Sequence, residues 1–202
     1  MEKLGLKPDV ITYTTLISAS YKRNRSEIGN GLLNLMVYKG CRPNLTTFNV
    51  RIQYLTNRRR AWQANDTIHL MLKIGIDRDE VTYNLVIKGF CQAGYLEMAK
   101  RVYSSLECRS EYKANVKIFQ TMIHYLCKGG EYNLAYTRCK DCMSKNWFPN
   151  VDIIHSLLQG LLKNGQLSKA KMIMAVVRSR IPPFSSTQLD SLQWVLMKLK
   201  SG

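Results

Sequence analysis

The sequence predicts an all-α protein, a solenoid of stacked helix-turn-helix hairpins, on three observations. These are a 35-residue repeat, helical spacing of apolar residues inside each repeat, and turn residues held at one phase. Tyr13, Phe48, Tyr83, Phe119 and Ile154 follow one another at steps of 35, 35, 36 and 35 residues. Met1, Met36 and Met71 keep the same step, as do Gly5, Gly40 and Gly75, while Pro8, Pro43 and Pro149 are followed at once by Asp9, Asn44 and Asn150. Chance does not phase four residue types together. A hairpin of this length cannot bury its apolar face alone, so the repeats must stack.

The repeats run over residues 10–44, 45–79, 80–115, 116–150 and 151–185, the last of them degenerate, with residues 1–9 as the tail of a preceding partial repeat. Tyr83, Val86, Ile87 and Phe90 give the helical spacing of a first helix, and Leu96, Ala99, Val102, Tyr103 and Leu106 that of a second. Between them, Ala93-Gly94, Gly129-Gly130 and Asn164-Gly165 supply the left-handed geometry that ends a helix. Gly29, Ala64, Ala99, Ala135 and Ala170 form a small-residue column that lets the two helices approach. Ile17, Ile52, Ile87, Ile123 and Leu158, with Met36, Met71, Leu106, Cys142 and Val177, are the large core positions. Ser185 with Gln188 is a capping box opening a C-terminal capping helix over 186–200, within the segment 186–202, on which Trp194 is read as a packing residue or a partner contact. At the other end, residues 1–9 supply only the end of a hairpin. The first complete helix therefore expects a neighbour, either further repeats or another surface.

Lys and Arg number 30 against 14 acidic residues, a formal charge of +16 and a pI near 9.7. Such an excess favours a polyanion as partner through counterion release. The basic residues cluster: Lys22, Arg23 and Arg25 lie at the first inter-helix turn and Arg58, Arg59 and Arg60 at the second, so stacking makes one basic patch. No apolar run approaches the ~20 residues that span a bilayer, and no membrane partner is expected. There is no Gly-rich phosphate loop and no metalloprotease helix motif, so no catalytic residue, cofactor or small-molecule substrate is expected. His124, Cys127, Cys139 and Cys142 offer zinc-ligand types, but Cys139 and Cys142 fall in the columns of Leu33 and Met36, so core packing explains both and no metal is expected. Six cysteines without a disulfide pattern suggest a reducing compartment.

The segments "PDVITYTTLI", "RPNLTTFNVRI" and "DEVTYNLVIKGFCQAGYLEMAK" resemble the pentatricopeptide repeat (PPR) family, over residues 1–181. The uniform spacing is similar to its plain subgroup. The resemblance implies a right-handed α-solenoid (superhelix) that binds single-stranded RNA in organellar RNA metabolism or translation. It implies base-reading pairs at Thr14 with Asn44, Asn49 with Asp79, Asn84 with Asn115, and Gln120 with Asn150. By the same resemblance the first pair reads adenine, the second uracil and the third a pyrimidine. Small amides and hydroxyls suit this work because their donors and acceptors reach a base edge directly. Gln120, and His155 in the fifth repeat, depart from the usual residues.

Base stacking is implied for Ile11, Thr46 and Val81, whose column continues in Lys117 and Asp152, the latter repelling a polyanion. Phosphate contacts are implied for Lys22, Lys128 and Lys163, while Asn57 and Gln92 break that column. Three legible bases are a short footprint. The alternative is therefore a non-catalytic scaffold or adaptor subunit of an organellar ribonucleoprotein such as the mitochondrial ribosome, with ribosomal or other ribonucleoprotein subunits as partners. The resemblance implies a mitochondrion, with the chloroplast as alternative, and the chain opens without an Arg- and Ser-rich targeting segment.

Overall fold

A computed structural model describes residues 7–107 and 114–198. The described residues form helices α1 (Val10–Lys22), α2 (Ser26–Tyr38), α3 (Leu45–Asn57), α4 (Ala61–Lys73), α5 (Glu80–Gln92), α6 (Leu96–Glu107), α7 (Val116–Lys128), α8 (Tyr132–Ser144), α9 (Val151–Lys163), α10 (Leu167–Arg178) and α11 (Ser186–Lys198). The first helix of every repeat begins at the residue where the sequence periodicity opens that repeat. The fold is an all-α helical repeat. It divides into two compact units, Met1–Ser105 and Leu106–Gly202.

Each first helix starts where it does because of the residue ahead of it. Asp9, Asn44, Asp79, Asn115 and Asn150 have extended backbones, and their side-chain oxygens accept a hydrogen bond from the N–H of Thr12, Thr47, Thr82, Ile118 and Ile153. Each such cap contributes about 1 kcal/mol by satisfying a donor that has no partner inside the helix. Ser185 continues the series ahead of α11: Gln188 N–H donates to its Oγ at 3.3 Å, and its own N–H donates to Gln188 Oε1 at 3.1 Å. The predicted capping box is present, and α11 takes up the phase of a sixth first helix.

The hairpins close through left-handed residues between the two helices. Gly94, Gly130 and Gly165 have φ of 87°, 79° and 69°, while Asn24 and Arg59 hold the same place in the first two hairpins at 62° and 57°. Side chains with a Cβ are disfavoured there, so Arg59 is a strained choice where glycine would be easier.

The predicted core columns are buried, from Ile17, Ile52, Ile87, Ile123 and Leu158 to Met36, Met71, Leu106, Cys142 and Val177. The small-residue column is buried too, and a Cβ added at Gly29 would come within 2.5 Å of the Tyr21 ring. In the first unit α1 packs on α2 and α3, and α3 on α4 and α5; in the second α7 packs on α8 and α9, and α9 on α10 and α11. First helices thus lie side by side in each unit, which places their opening turns in a row. Trp194 is not a core residue: α11 turns Leu192 and Val195 into the core and leaves Trp194 53% exposed. Met1, Gly5 and the predicted last turn at 199–200 lie outside the described residues.

Candidate nucleic-acid interface

The opening turn of each first helix has the same layering. Ile11, Thr46, Val81, Lys117 and Asp152, the stacking column, are exposed or partly so. One helical step on, Thr47, Thr82, Ile118 and Ile153 are buried. Two further steps on, the reading column Thr14, Asn49, Asn84, Gln120 and His155 is half-buried. Helical rotation produces this pattern, since successive side chains sit 100° apart on a helix of 3.6 residues per turn. The consequence is a row of polar side chains with a more exposed neighbour beside each.

Two of the pairs are joined at the end of their repeat by the threonine that opens the next one. Asn49 Nδ2 donates to Asp79 Oδ1 at 3.3 Å, and the Thr82 hydroxyl lies 2.7 Å from both Asn49 Oδ1 and Asp79 Oδ1. Thr14 and Thr47 share a hydroxyl–hydroxyl bond at 2.7 Å, and the Thr47 hydroxyl donates to Asn44 Oδ1 at 3.0 Å. So Asp79 serves twice, as a helix cap and as a direct partner of Asn49, while Asn44 is linked to Thr14 through the Thr47 hydroxyl. Asp79 Oδ2 and the second amide hydrogen of Asn49 take part in none of these bonds, which leaves one acceptor and one donor side by side.

Partial burial pushes the Asp79 carboxyl up, but hydrogen bonds from the Thr82 hydroxyl, the Thr82 N–H and the Asn49 amide outweigh it and hold the group below the ordinary carboxylate range. It is an anionic acceptor at neutral pH.

The base-reading pairs alone do not point to the threonines, although Thr12, Thr47 and Thr82 recur at 35-residue steps, each three residues after an Asp or Asn. That spacing is the signal that finds them. In the second unit the place is taken by Ile118 and Ile153. Asn150 there accepts the Ile153 N–H at 3.0 Å, and isoleucine has no hydroxyl to offer Gln120.

The predicted phosphate-contacting residues Lys22, Arg58, Arg59, Arg60, Lys128 and Lys163 are all exposed. The first two inter-helix turns are neighbours, as expected: Tyr21 and Tyr54, near the ends of α1 and α3, stack with ring centroids 4.4 Å apart, and Arg58 lies over the Tyr54 ring. Arg60 differs from its two neighbours in sequence. It lines a polar cleft of about 380 Å³ with Tyr21, Arg51, Tyr54 and Asp66, so an acidic side chain shares its surroundings.

The cysteines of ligand type belong to the interior. Burial pushes the Cys127 thiol up to about 12 and Cys142 to about 11, and raises Cys139 as well, so all three stay protonated and poorly suited to metal binding or nucleophilic attack. His124 lies on the surface. Among the described residues no group of three or more His, Cys, Asp or Glu is placed to hold a metal ion, and no helix is long and apolar enough to cross a membrane.

Stacked helical hairpins at a 35-residue step, with caps and reading residues in register, define a helical-repeat protein. Residues 1–58 match the pentatricopeptide repeat domain family and residues 74–107 the PPR repeat family. The chain belongs to the pentatricopeptide repeat family. It is 30% identical over 183 residues to small ribosomal subunit protein mL103 (rPPR7) of Arabidopsis thaliana, covering 91% of this chain and 44% of that protein. It is 28% identical over 193 residues to a mitochondrial pentatricopeptide repeat-containing protein of the same plant, covering 96% of this chain and 45% of the relative. The chain thus spans less than half the length of these relatives. The crystal structure of maize PPR10 superposes with a TM-score of 0.73 at 16% identity, over 96% of this chain and 26% of that one, and shows the same fold.

Proposed function

We propose that the chain binds single-stranded RNA along the opening turns of its first helices, reading bases in repeats 1 to 3, and acts in mitochondrial RNA metabolism or translation. The observation that carries this reading is the junction of Asn49, Asp79 and Thr82. Its free amide hydrogen and free carboxylate oxygen present a donor beside an anionic acceptor, the complement of a uracil edge, which offers a carbonyl beside an N–H. Cytosine would turn a lone pair toward the Asp79 carboxylate. Thr14 with Asn44 is the adenine reader, and Asn84, a neutral amide, is the reading residue of the third repeat. Ile11, Thr46 and Val81 supply surfaces for base stacking, while Lys22, Lys128, Lys163 and the arginines at the second turn supply phosphate contacts. PPR10 has also been solved in complex with an 18-nt RNA, which supports the class of ligand. This is a binding function, with no reaction assigned.

Binding to single-stranded RNA should weaken steeply with salt. Changing Arg58, Arg59 and Arg60 together to Ala should lower affinity for all sequences alike and flatten the salt dependence by ~0.7 logarithmic units for each phosphate left without its cation. Fluorescence anisotropy across a salt series measures both. Affinity indifferent to salt and to the triple change would overturn the proposal.

The ribosomal-protein relative favours a second reading, a subunit or adaptor of a mitochondrial ribonucleoprotein. In that case the array would hold protein as well as RNA, and affinity for free RNA would stay weak until the assembly's other subunits are added.

A further inference from the structure

The buried threonines at the repeat junctions are not required by the fold. Thr47 and Thr82 are each 0% exposed, yet the same place in α7 and α9 is filled by Ile118 and Ile153, also buried, and those helices start and pack in the same manner. An apolar side chain therefore satisfies the packing. A hydroxyl in that position must find a polar partner or lose its hydrogen bonds with water. Its partners here reach beyond the adjacent capping residue into the first helix of the preceding repeat: Thr47 meets Thr14, and Thr82 meets Asn49, across 33 residues of sequence.

Helix capping accounts for part of this arrangement. In α3 the Asn44 N–H donates to the Thr47 hydroxyl at 3.4 Å, completing a capping box. Capping does not account for the bond to the reading residue, which is made by a different repeat and contributes nothing to the helix start.

Resting on the base-reading function proposed above, we infer that Thr47 and Thr82 are positioning residues. Each buried hydroxyl fixes the polar atoms that face one base, so that a base site comprises three residues from two consecutive repeats. Without the hydroxyl, Asn49 keeps only its longer 3.3 Å contact with Asp79 and rotates more freely about its side-chain torsions. The site loses definition while the phosphate-binding residues stay in place. Specificity, rather than affinity as a whole, is the property that the threonines control. Repeat 4 lacks the device, since Ile153 stands beside Asn150 and Gln120 stands in the reading column.

The test is selection by the whole chain from a pool of randomised single-stranded RNA, because neighbouring repeats then set the register themselves. The unaltered chain should enrich adjacent adenine and uracil positions. Thr82→Val should flatten the uracil position to near-random while leaving the adenine position and the salt dependence unchanged. Thr47→Val should do the reverse, and Thr82→Ser should restore the uracil preference.

Flattening of both positions by Thr82→Val, or of neither, overturns the inference while leaving base reading intact. Absence of any preference in the unaltered chain overturns base reading and this inference with it. An independent check lies in the second unit and does not depend on Thr82→Val folding. Gln120→Asn with Ile153→Thr should create a further enriched pyrimidine position, more sharply defined than the one that Gln120→Asn alone gives. Equal enrichment from the single change, or none from the pair, counts against positioning by the hydroxyl.

Discussion

The two compact units use the same hairpin for different ends. In the second unit, α7 buries Ile118, Phe119, Met122, Ile123, Leu126 and Cys127, and α9 buries Ile153, Ile154, Leu157, Leu158 and Leu161 along one face. In the first unit α1 buries only Tyr13, Ile17 and Tyr21, while α3 gives two of its five buried places to Thr47 and Thr56. Net charge does not separate the units: residues 1–105 carry 16 basic and 8 acidic side chains and residues 106–202 carry 14 and 6, a net +8 in each. What separates them is where polar groups enter the interior. A repeat can keep its geometry and exchange a fully apolar junction for one that presents defined donors and acceptors.

The largest effect that would sharpen this contrast is a cavity in the apolar unit. Leu158→Ala in α9 should cost roughly 2–5 kcal/mol, the usual range for emptying a buried leucine site. Thr82→Val should cost only about 1 kcal/mol, since the new side chain has nearly the same shape and the loss is one net hydrogen bond. Urea denaturation of the two variants measures both. Equal losses would break the comparison, because they would make the polar junction part of the stabilising framework.

The inter-helix turns offer a second contrast of smaller size. Arg59 is left-handed at 57° in the first unit, where Gly130 sits at 79° in the second. Gly130→Ala should lose about 1 kcal/mol and Arg59→Gly should gain up to about 1 kcal/mol, offset by the greater freedom of glycine in the unfolded chain. Thermal denaturation reads both signs. The same Arg59→Gly change should weaken RNA binding, so that stability and affinity move in opposite directions. A residue that holds strain without serving RNA would leave affinity unaltered.

The repeat boundaries, the core columns and the small-residue column are all legible in the sequence, because each depends on spacing along one helix or between identical hairpins. Even α11 keeps the phase, with Ser185 in the capping place. The cross-repeat hydroxyl bonds are not legible, because they join side chains 33 residues apart and depend on how neighbouring first helices settle side by side. Trp194 escapes the sequence for a related reason. Average burial of a residue type does not say which face of a terminal helix will find a neighbour, and α11 buries Leu192 and Val195 instead. Arg59 shows a third limit, since glycine at the equivalent turns predicts the backbone geometry but not which side chain will tolerate it.

The smallest expected effect is linked to pH and follows from the caps. The first unit caps α1 and α5 with Asp9 and Asp79, whereas α7 and α9 are capped by the neutral Asn115 and Asn150. Partial burial raises the Asp79 pKa, and hydrogen bonds from the Thr82 hydroxyl and N–H and from Asn49 outweigh that effect, so the folded value is lowered. A lowered folded value means that the stabilisation is fully present above the unfolded carboxyl's pKa of about 3.9 and is lost as pH falls through the folded value. Solvent screening of a group that is only partly buried keeps this to about 0.5 kcal/mol or less. Asp79→Asn should therefore remove a small part of the acid-induced loss of stability, and Asn150→Ala none of it. Thr82→Val should move the titration of Asp79 upward, because the hydroxyl bond goes while the burial stays. Between about pH 5 and 8 the carboxylate remains ionised, so preference for uracil over cytosine should be flat with pH in the unaltered chain and weakened throughout that range in Asp79→Asn. A uracil preference that rises and falls within that window would assign the discrimination to a different titrating group.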